Sequence, residues 1–484
     1  MLFVVNVQIY LHPNPENQRI LASLGCGKFE LFKRRNSVQQ YRFVVYYGAE
    51  VKCRCGGFEV KLKIENVAKI EYAEIEMNGI TIIAGKNNTG KSTIGKVIFS
   101  LFNSLSNIEA RLKQQKEQLI YKELKYKLDN ISRDTNDADY YSVPAITMHS
   151  CARELCECDS GEEQRQIIRR LFKRASWFEM QAMEEAVARI DTDISEIKNL
   201  PMDRLMKSVV STYFSRIFYG NVCNVSRREA KARIEATIKE RKVALTFLNE
   251  ACREFEQEIK VLSRAFYLDN PFILNRLNSG GANDEMERVL LRGLRSERDA
   301  MEDAVQYSII SEKIQNVMRL LNSVTGGSVS MDESREYLFQ EQGADAPLNV
   351  GNLSAGLKSF IIIKLLLENH SLRERDVLIL DEPEIHLHPE WQMKYAEIIV
   401  LLQKEFDLTV ILTTHSSHFL EALQLYARIH KQEKKCNYYL TEQSDYGCVL
   451  KDMTDDITQI YSQLVDPSII LNKMRYKVEE TEDE

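Results

Sequence analysis

The chain contains no run of roughly eighteen or more apolar residues, so no membrane-spanning helix is expected. Its first residues, Leu2-Phe3-Val4-Val5-Asn6-Val7, have no basic stretch ahead of a short apolar run, which argues against a secretory signal. Zinc-ligand spacing is missing too. The ten cysteines are scattered, the close pairs Cys53/Cys55 and Cys156/Cys158 are split by a single residue, and no histidine pair follows. Free thiols in a reducing cytoplasm are the expectation. Excess positive charge is absent as well: 64 Lys+Arg against 71 Asp+Glu leave a net charge of −7, so nothing global marks a nucleic-acid binder. No internal repeat is present, and heptads are not sustained, which excludes a long coiled coil.

What is there begins at residue 85. Gly85-Lys86-Asn87-Asn88-Thr89-Gly90-Lys91-Ser92 follows the apolar run Ile80–Ala84, and Thr93–Phe99 leaves it at helical spacing. Strand, glycine-rich turn and helix are the context a phosphate-binding loop needs. Gly85 and Gly90 let the backbone wrap so that successive N–H groups and the helix N-terminus face phosphate oxygens. Lys91 is expected to reach the β- and γ-phosphates of ATP, and the Ser92 hydroxyl to help hold Mg²⁺.

A second block lies far downstream. Leu353-Ser354-Ala355-Gly356-Leu357-Lys358 opens an apolar helix, Phe360–Leu367. Val377-Leu378-Ile379-Leu380 then meets Asp381-Glu382, as expected of a strand buried on both faces of a parallel sheet. Asp381 at its carboxyl end would hold Mg²⁺, and Glu382 would polarise the water that attacks the γ-phosphate. A third apolar run, Leu408–Thr414, ends at His415, a candidate sensor of that phosphate. Each element has a plainer explanation: Ser354 as a helix cap, Asp381-Glu382 as a strand end, His415 as a loop histidine.

Together and in this order, Gly85–Thr93, Leu353–Lys358, Val377–Pro389 and Thr413–His415 resemble the ATP-binding-cassette class of ATPases. Within it they resemble the SMC-like, RecF-like and OLD-type branch, where an Asp-Glu-Pro-Glu segment followed by His-Leu-His-Pro recurs, as at 381–389 here. The resemblance implies an α/β head with a parallel central sheet and an antiparallel lobe, closing on a second head around ATP. Lys91, Ser92, Asp381, Glu382 and His415 would act in cis; Ser354, Gly356 and Lys358 would meet the γ-phosphate in trans. It also implies a glutamine that contacts Mg²⁺ and water, which no single residue here identifies. Only about seventy residues follow His415, too few for the Toprim nuclease of some OLD relatives. An effector or nuclease would then be a separate chain, in phage defence or DNA processing. A transporter-coupled subunit and an ATP-dependent scaffold with little turnover are the rival readings.

The expected organisation is an extension of uncertain origin over 1–57, poorly ordered or a start-codon overextension. The first part of the head follows over 58–103, with Glu59–Ile64 and Lys69–Glu76 as a hairpin. A mostly helical insertion over 104–330 carries a short hairpin at 232–247 and strand-like Phe266–Leu268. The second part of the head spans 331–465, and a C-terminal tail with the acidic end Glu479–Glu484 spans 466–484. Within the insertion, Leu112, Leu119, Leu124 and Leu128 are the expected apolar contacts of one helix. Ser160 and Glu163 form a capping box for a helix reaching Lys198, and a further helix spans Asn283–Asn322. Basic clusters at Lys33–Arg35, Arg169/Arg170 with Lys173/Arg174, and Arg227/Arg228 with Lys231 and Arg233 are solvated faces or a DNA- or RNA-facing surface.

Overall fold

The structure, a computed structural model, describes residues 7–9, 41–43, 60–134, 144–174, 180–278, 280–295, 304–464, 471 and 474–475. The chain divides into two units, Met1–Gly56 and Gly57–Glu484. Of the first, β1 (Val7–Ile9) and β2 (Tyr41–Phe43) form an antiparallel ladder. The remainder of the expected extension, Cys53/Cys55, Lys33–Arg35 and the acidic end Glu479–Glu484 lie outside the described residues.

In the second unit the alternation read at 60–76 becomes a hairpin. β3 (Val60–Val67) pairs antiparallel with β4 (Ile70–Met77), each burying every second side chain. β5 (Ile80–Gly85) is buried throughout, which explains its unbroken apolar sequence. The next strands are β6 (Ala232–Ile238), β7 (Arg241–Leu248), β8 (Ala251–Gln257) and β9 (Ala265–Leu268). A small antiparallel sheet follows, of β10 (Gly327–Met331), β11 (Tyr337–Glu341) and β12 (Leu348–Asn349). Last come β13 (Val377–Asp381), β14 (Thr409–Thr414), β15 (Cys436–Ser444) and β16 (Gly447–Asp452).

Eleven of these strands make one sheet in the order β8-β7-β6-β3-β4-β16-β15-β5-β14-β13-β9. The five from β15 to β9 are parallel, and β8-β7-β6-β3-β4 is an antiparallel wing. This is the α/β head anticipated from the motifs. Alternate residues of β13 feed two cores. Leu378 and Leu380 pack with the helix Ala355–Glu368 and the helix Pro389–Phe406, while Val377 and Ile379 pack with the helix Lys91–Leu105. Such two-sided cover is what a parallel sheet requires.

The insertion is smaller than the sequence patterning implied. Helices Ile108–Asp134, Ala145–Glu157, Gly161–Arg174 and Met180–Lys198 form a lobe with its own core around Leu124, Leu155, Ile168 and Ile194. The helix Met202–Ile217 already packs back on the head through Val210 and Phe214. The hairpin at 232–247 is no ornament of the lobe: β6 pairs with β3 in the wing, and β9 is the sheet's edge beside β13. Alternating sequence marks a half-buried strand but does not name its partner, and here the partners lie far away in the chain. Leu119 is a second difference, being exposed at 47% while Leu112, Leu124 and Leu128 are buried. The Ser160–Glu163 cap forms, with the Glu163 N–H donating to Ser160 Oγ at 3.1 Å. Its helix ends at Arg174, and a separate one runs Met180–Lys198. Likewise the Asn283–Asn322 segment divides into helices Glu285–Arg295 and Ala304–Thr325, the latter stopped by Gly326 with φ 60°.

Candidate active site

The phosphate loop joins β5 to the helix Lys91–Leu105, and two glycines decide its path. Gly85 has φ 147°, and a Cβ there would lie 2.1 Å from Thr441 Oγ1; Gly90, with φ 86°, is the helix cap residue. No side chain caps this helix N-terminus, so its first N–H groups face the loop interior. Thr89 closes the turn, donating to the Lys86 carbonyl at 2.7 Å and lying 2.5 Å from Thr441 Oγ1. Lys91 is buried, and its Nζ donates to the carbonyls of Gly85 and Lys86, both at 2.9 Å. Lys86, Asn87, Asn88 and Ser92 are exposed, and Thr93 is half-buried. The Lys69 ammonium, from the β3–β4 turn, donates to Asn88 Oδ1.

β13 delivers the acidic pair two strands away. Asp381 Oδ1 accepts the Thr413 hydroxyl at 2.5 Å, and Oδ2 accepts the Tyr267 hydroxyl at 2.7 Å. That tyrosine is fully buried at the end of β9, also 3.5 Å from the Ser92 carbonyl, so it ties the acidic strand to the phosphate loop. Burial first, and then the Asp381 charge, pushes its phenol well above the ordinary range. The helix Lys91–Leu105 approaches this tyrosine only because residue 95 is glycine: a Cβ there would sit 3.0 Å from Tyr267 Cε2 and 3.1 Å from Ile379 Cγ2.

Glu382 breaks away from the strand with φ 51°, a left-handed conformation rare for a residue with a side chain. Its N–H donates to the Thr413 hydroxyl at 3.0 Å and the Thr413 carbonyl at 3.2 Å, which holds the turn. The carboxylate then reaches Lys91 Nζ at 3.4 Å with one oxygen and His415 Nδ1 at 3.4 Å with the other. Lys91, Glu382 and His415, from three widely separated segments, thus meet around one point. Glu384 stands behind them, buried, its Oε1 accepting the Thr414 hydroxyl at 2.6 Å. Burial pushes its carboxyl up.

The 353–358 segment is built as a helix start. Ser354 is exposed, and its hydroxyl accepts the Leu357 N–H at 3.3 Å. Gly356 is buried where a Cβ would press on the His386 carbonyl at 3.0 Å and on Trp391 at 3.2 Å, so this turn packs on the segment after Glu382. Lys358 departs from the expectation of a phosphate contact in trans. It is 1% exposed, its ammonium donates to the Gly351 carbonyl at 2.8 Å and lies 5.0 Å from the Phe272 ring, and burial lowers its pKa. Four residues past the cap, it falls on the face that also carries Ile361 and Ile362 into the core, a consequence of helix phase that the motif does not reveal.

Tyr267, Thr413, Thr414, Thr441 and Glu384 are the site residues the sequence did not single out. Tyr267 lies in an apolar triplet with no distinguishing signal, whereas Glu384 stands inside the Asp-Glu-Pro-Glu segment, and Thr413 and Thr414 directly precede His415. Several described residues of the basic clusters have partners within the chain. Arg169 pairs with Glu184 at 2.9 Å, Arg170 with Glu154, Lys231 with Glu254 at 3.3 Å and Arg233 with Glu235 at 2.7 Å, while the Arg227 guanidinium lies 3.3 Å over the Tyr446 ring. Among the described residues no group of three or more His, Cys, Asp or Glu is arranged to hold a metal, and no helix is long and apolar enough to cross a membrane.

Residues 60–420 match the family described as AAA ATPase domain, most of the chain. NU+ prion formation protein 1 of Saccharomyces cerevisiae is 31% identical over 137 residues, 28% of this chain and 10% of that protein. The Retron Ec83 probable ATPase of Escherichia coli is 28% identical over 163 residues, 31% of this chain and 29% of its own. The chain therefore spans about a tenth and about three tenths of the lengths of these curated relatives. Among solved structures, the SMC head bound to the C-winged helix domain of ScpA has TM-score 0.40 at 12% identity, covering 82% of this chain and 97% of that one. The SMC head domain from Thermotoga maritima has TM-score 0.34 at 11% identity, covering 82% and 98%. The chain belongs to the AAA ATPase domain family, with the motif set of the SMC-like, RecF-like and OLD-type P-loop ATPases that its sequence resembles.

Proposed function

We propose that the protein hydrolyses ATP with Glu382 as general base, and that two copies close head to head around the nucleotide to act as a conformational switch. The observation that carries this reading is the placement of Glu382, 3.4 Å from both the buried Lys91 ammonium and His415. A strained carboxylate between a phosphate-loop lysine and a histidine matches a base that acts on water beside a terminal phosphate. The open helix N-terminus and the close-packed glycine cradle at Gly85 fit a triphosphate. Lys86, Asn87, Asn88, Thr89, Gly90 and Thr93 complete the cradle, and Lys91 exchanges its loop carbonyls for β- and γ-phosphate oxygens. Ser92 and Asp381 are the groups that would hold Mg²⁺, which when bound neutralises charge on the phosphate oxygens. His415 then faces the γ-phosphate, while the exposed Ser354 and the helix start at Gly356 serve the partner copy in trans. A role in bacterial DNA-related processes or phage defence, with a separate effector or nuclease chain, belongs to the same reading; the similarity to the Retron Ec83 probable ATPase supports its ATPase part.

The test combines turnover with assembly. Glu382→Gln should lower ATP turnover by about 10²-fold or more, as removal of a general base does, while retaining nucleotide. The solution mass of that variant should rise with ATP and Mg²⁺, and the rise should vanish when Ser354→Arg is added. Wild-type turnover in Glu382→Gln refutes the base assignment; a mass indifferent to ATP refutes the head-to-head switch.

A further inference from the structure

Glu384 has no part in that reading, yet it is the most sequestered carboxylate near the site, at 3% exposure. Its Oε1 accepts both the Thr414 hydroxyl at 2.6 Å and the His415 backbone N–H at 3.2 Å, and lies 3.9 Å from His415 Nδ1. The support continues outward: Thr414 Oγ1 accepts the Ser416 N–H at 3.0 Å, and Gln392 Nε2 donates to the Glu384 carbonyl at 3.2 Å. Its Oε2 is buried with no hydrogen-bond partner among the described residues. A neutral amide would supply the same acceptor to Thr414 and His415, so those two bonds do not account for a carboxylate here. Burying an unsatisfied charged oxygen is destabilising, and such groups are retained where function needs them. Both carboxylates face the same ring nitrogen: Glu382 Oε2 lies 3.4 Å and Glu384 Oε1 3.9 Å from His415 Nδ1.

We propose that Glu384 is a positioning residue whose carboxylate holds the His415 ring toward Glu382 during ATP turnover. Burial raises the Glu384 carboxyl, while the Thr414 hydroxyl, backbone N–H groups and His415 oppose that shift. The inference rests on ATP hydrolysis at Glu382.

A double-mutant cycle with steady-state ATPase kinetics tests it. Glu384→Gln, which preserves shape and the Oε1 acceptor, should lower kcat about tenfold and leave KM for ATP and the melting temperature within about twofold and a few degrees. Placed on His415→Ala, the same change should cause no further loss, because a residue acting through His415 has nothing left to act on. Losses that multiply in the double variant, a KM that rises in step with the fall in kcat, or wild-type kcat in Glu384→Gln would overturn the proposal. Glu384→Ala, which removes both oxygens, gives a second reading: wild-type kcat there overturns it equally. Absence of turnover in the wild-type protein would sink the hydrolytic reading as well; an active wild type in which Glu382→Gln loses turnover and Glu384→Gln does not sinks only this inference.

Discussion

Replacing Tyr267 with phenylalanine removes one oxygen from the wall of the site and leaves the ring where it packs, edge-on to Phe99 at 6.2 Å. The lost contact is the 2.7 Å hydrogen bond to Asp381 Oδ2. Bonds to a charged acceptor contribute about 1.5–3 kcal/mol. Two features reduce that here: Asp381 is only half-buried, so water replaces part of the bond, and Thr413 still holds the other oxygen at 2.5 Å. A net loss of about 1.4 kcal/mol, or about tenfold in affinity, is the expectation. Because Asp381 is the proposed Mg²⁺ residue, the loss should appear in the Mg²⁺ concentration that half-saturates ATP turnover rather than in ATP binding at saturating Mg²⁺. The phenol is pushed well above its ordinary range, so it remains an O–H donor near neutral pH and the effect should not vary there. A folded Tyr267→Phe protein with Mg²⁺ half-saturation within about twofold of wild type would refute the claim that this hydroxyl sets the carboxylate.

Two further substitutions probe packing and the signature segment. Gly95→Ala gains helix propensity of about 1 kcal/mol, yet the new methyl meets the buried Tyr267 and Ile379 at 3.0 and 3.1 Å. Overpacking of about 1–3 kcal/mol should win, lowering the urea midpoint, and a raised midpoint would show that the helix shifts freely on the sheet. Lys358→Met replaces a buried ammonium with an apolar chain of similar length, so ATP-dependent association should persist with stability changed by less than about 2 kcal/mol. Loss of association in a stably folded protein would return Lys358 to the trans site.

The sequence made the chemistry legible wherever a strand ends in its own functional residues. Gly85 after β5, Asp381 and Glu382 after β13, and His415 after β14 each announce themselves locally, since a buried parallel strand reads as an apolar run and its carboxyl end as the first polar residues. Partnership was not legible. Nothing in Ala232–Ile238 says that it pairs with Val60–Glu65, or in Ala265–Leu268 that it flanks β13, because alternation and burial are properties of one strand and register a property of two. The orientation of Lys358 depends on helix phase against a core assembled from distant segments. Tyr267 becomes functional only because its hydroxyl lands beside Asp381, a contact across 114 residues of chain.

The position of β5 also has a bearing on how the molecule is made. Both neighbours of this strand come late: Ile80 pairs with Val410 on one side and with Cys436 on the other. Translation at about 5–20 residues per second separates the emergence of β5 from that of β14 by roughly 15 to 65 seconds. Throughout that interval an entirely apolar strand, followed by the phosphate loop, has neither ladder available to it. Hydrophobic edges exposed for so long invite aggregation or chaperone capture. Nascent chains stalled before residue 409 should therefore lack the P-loop as a formed structure, however complete its local sequence.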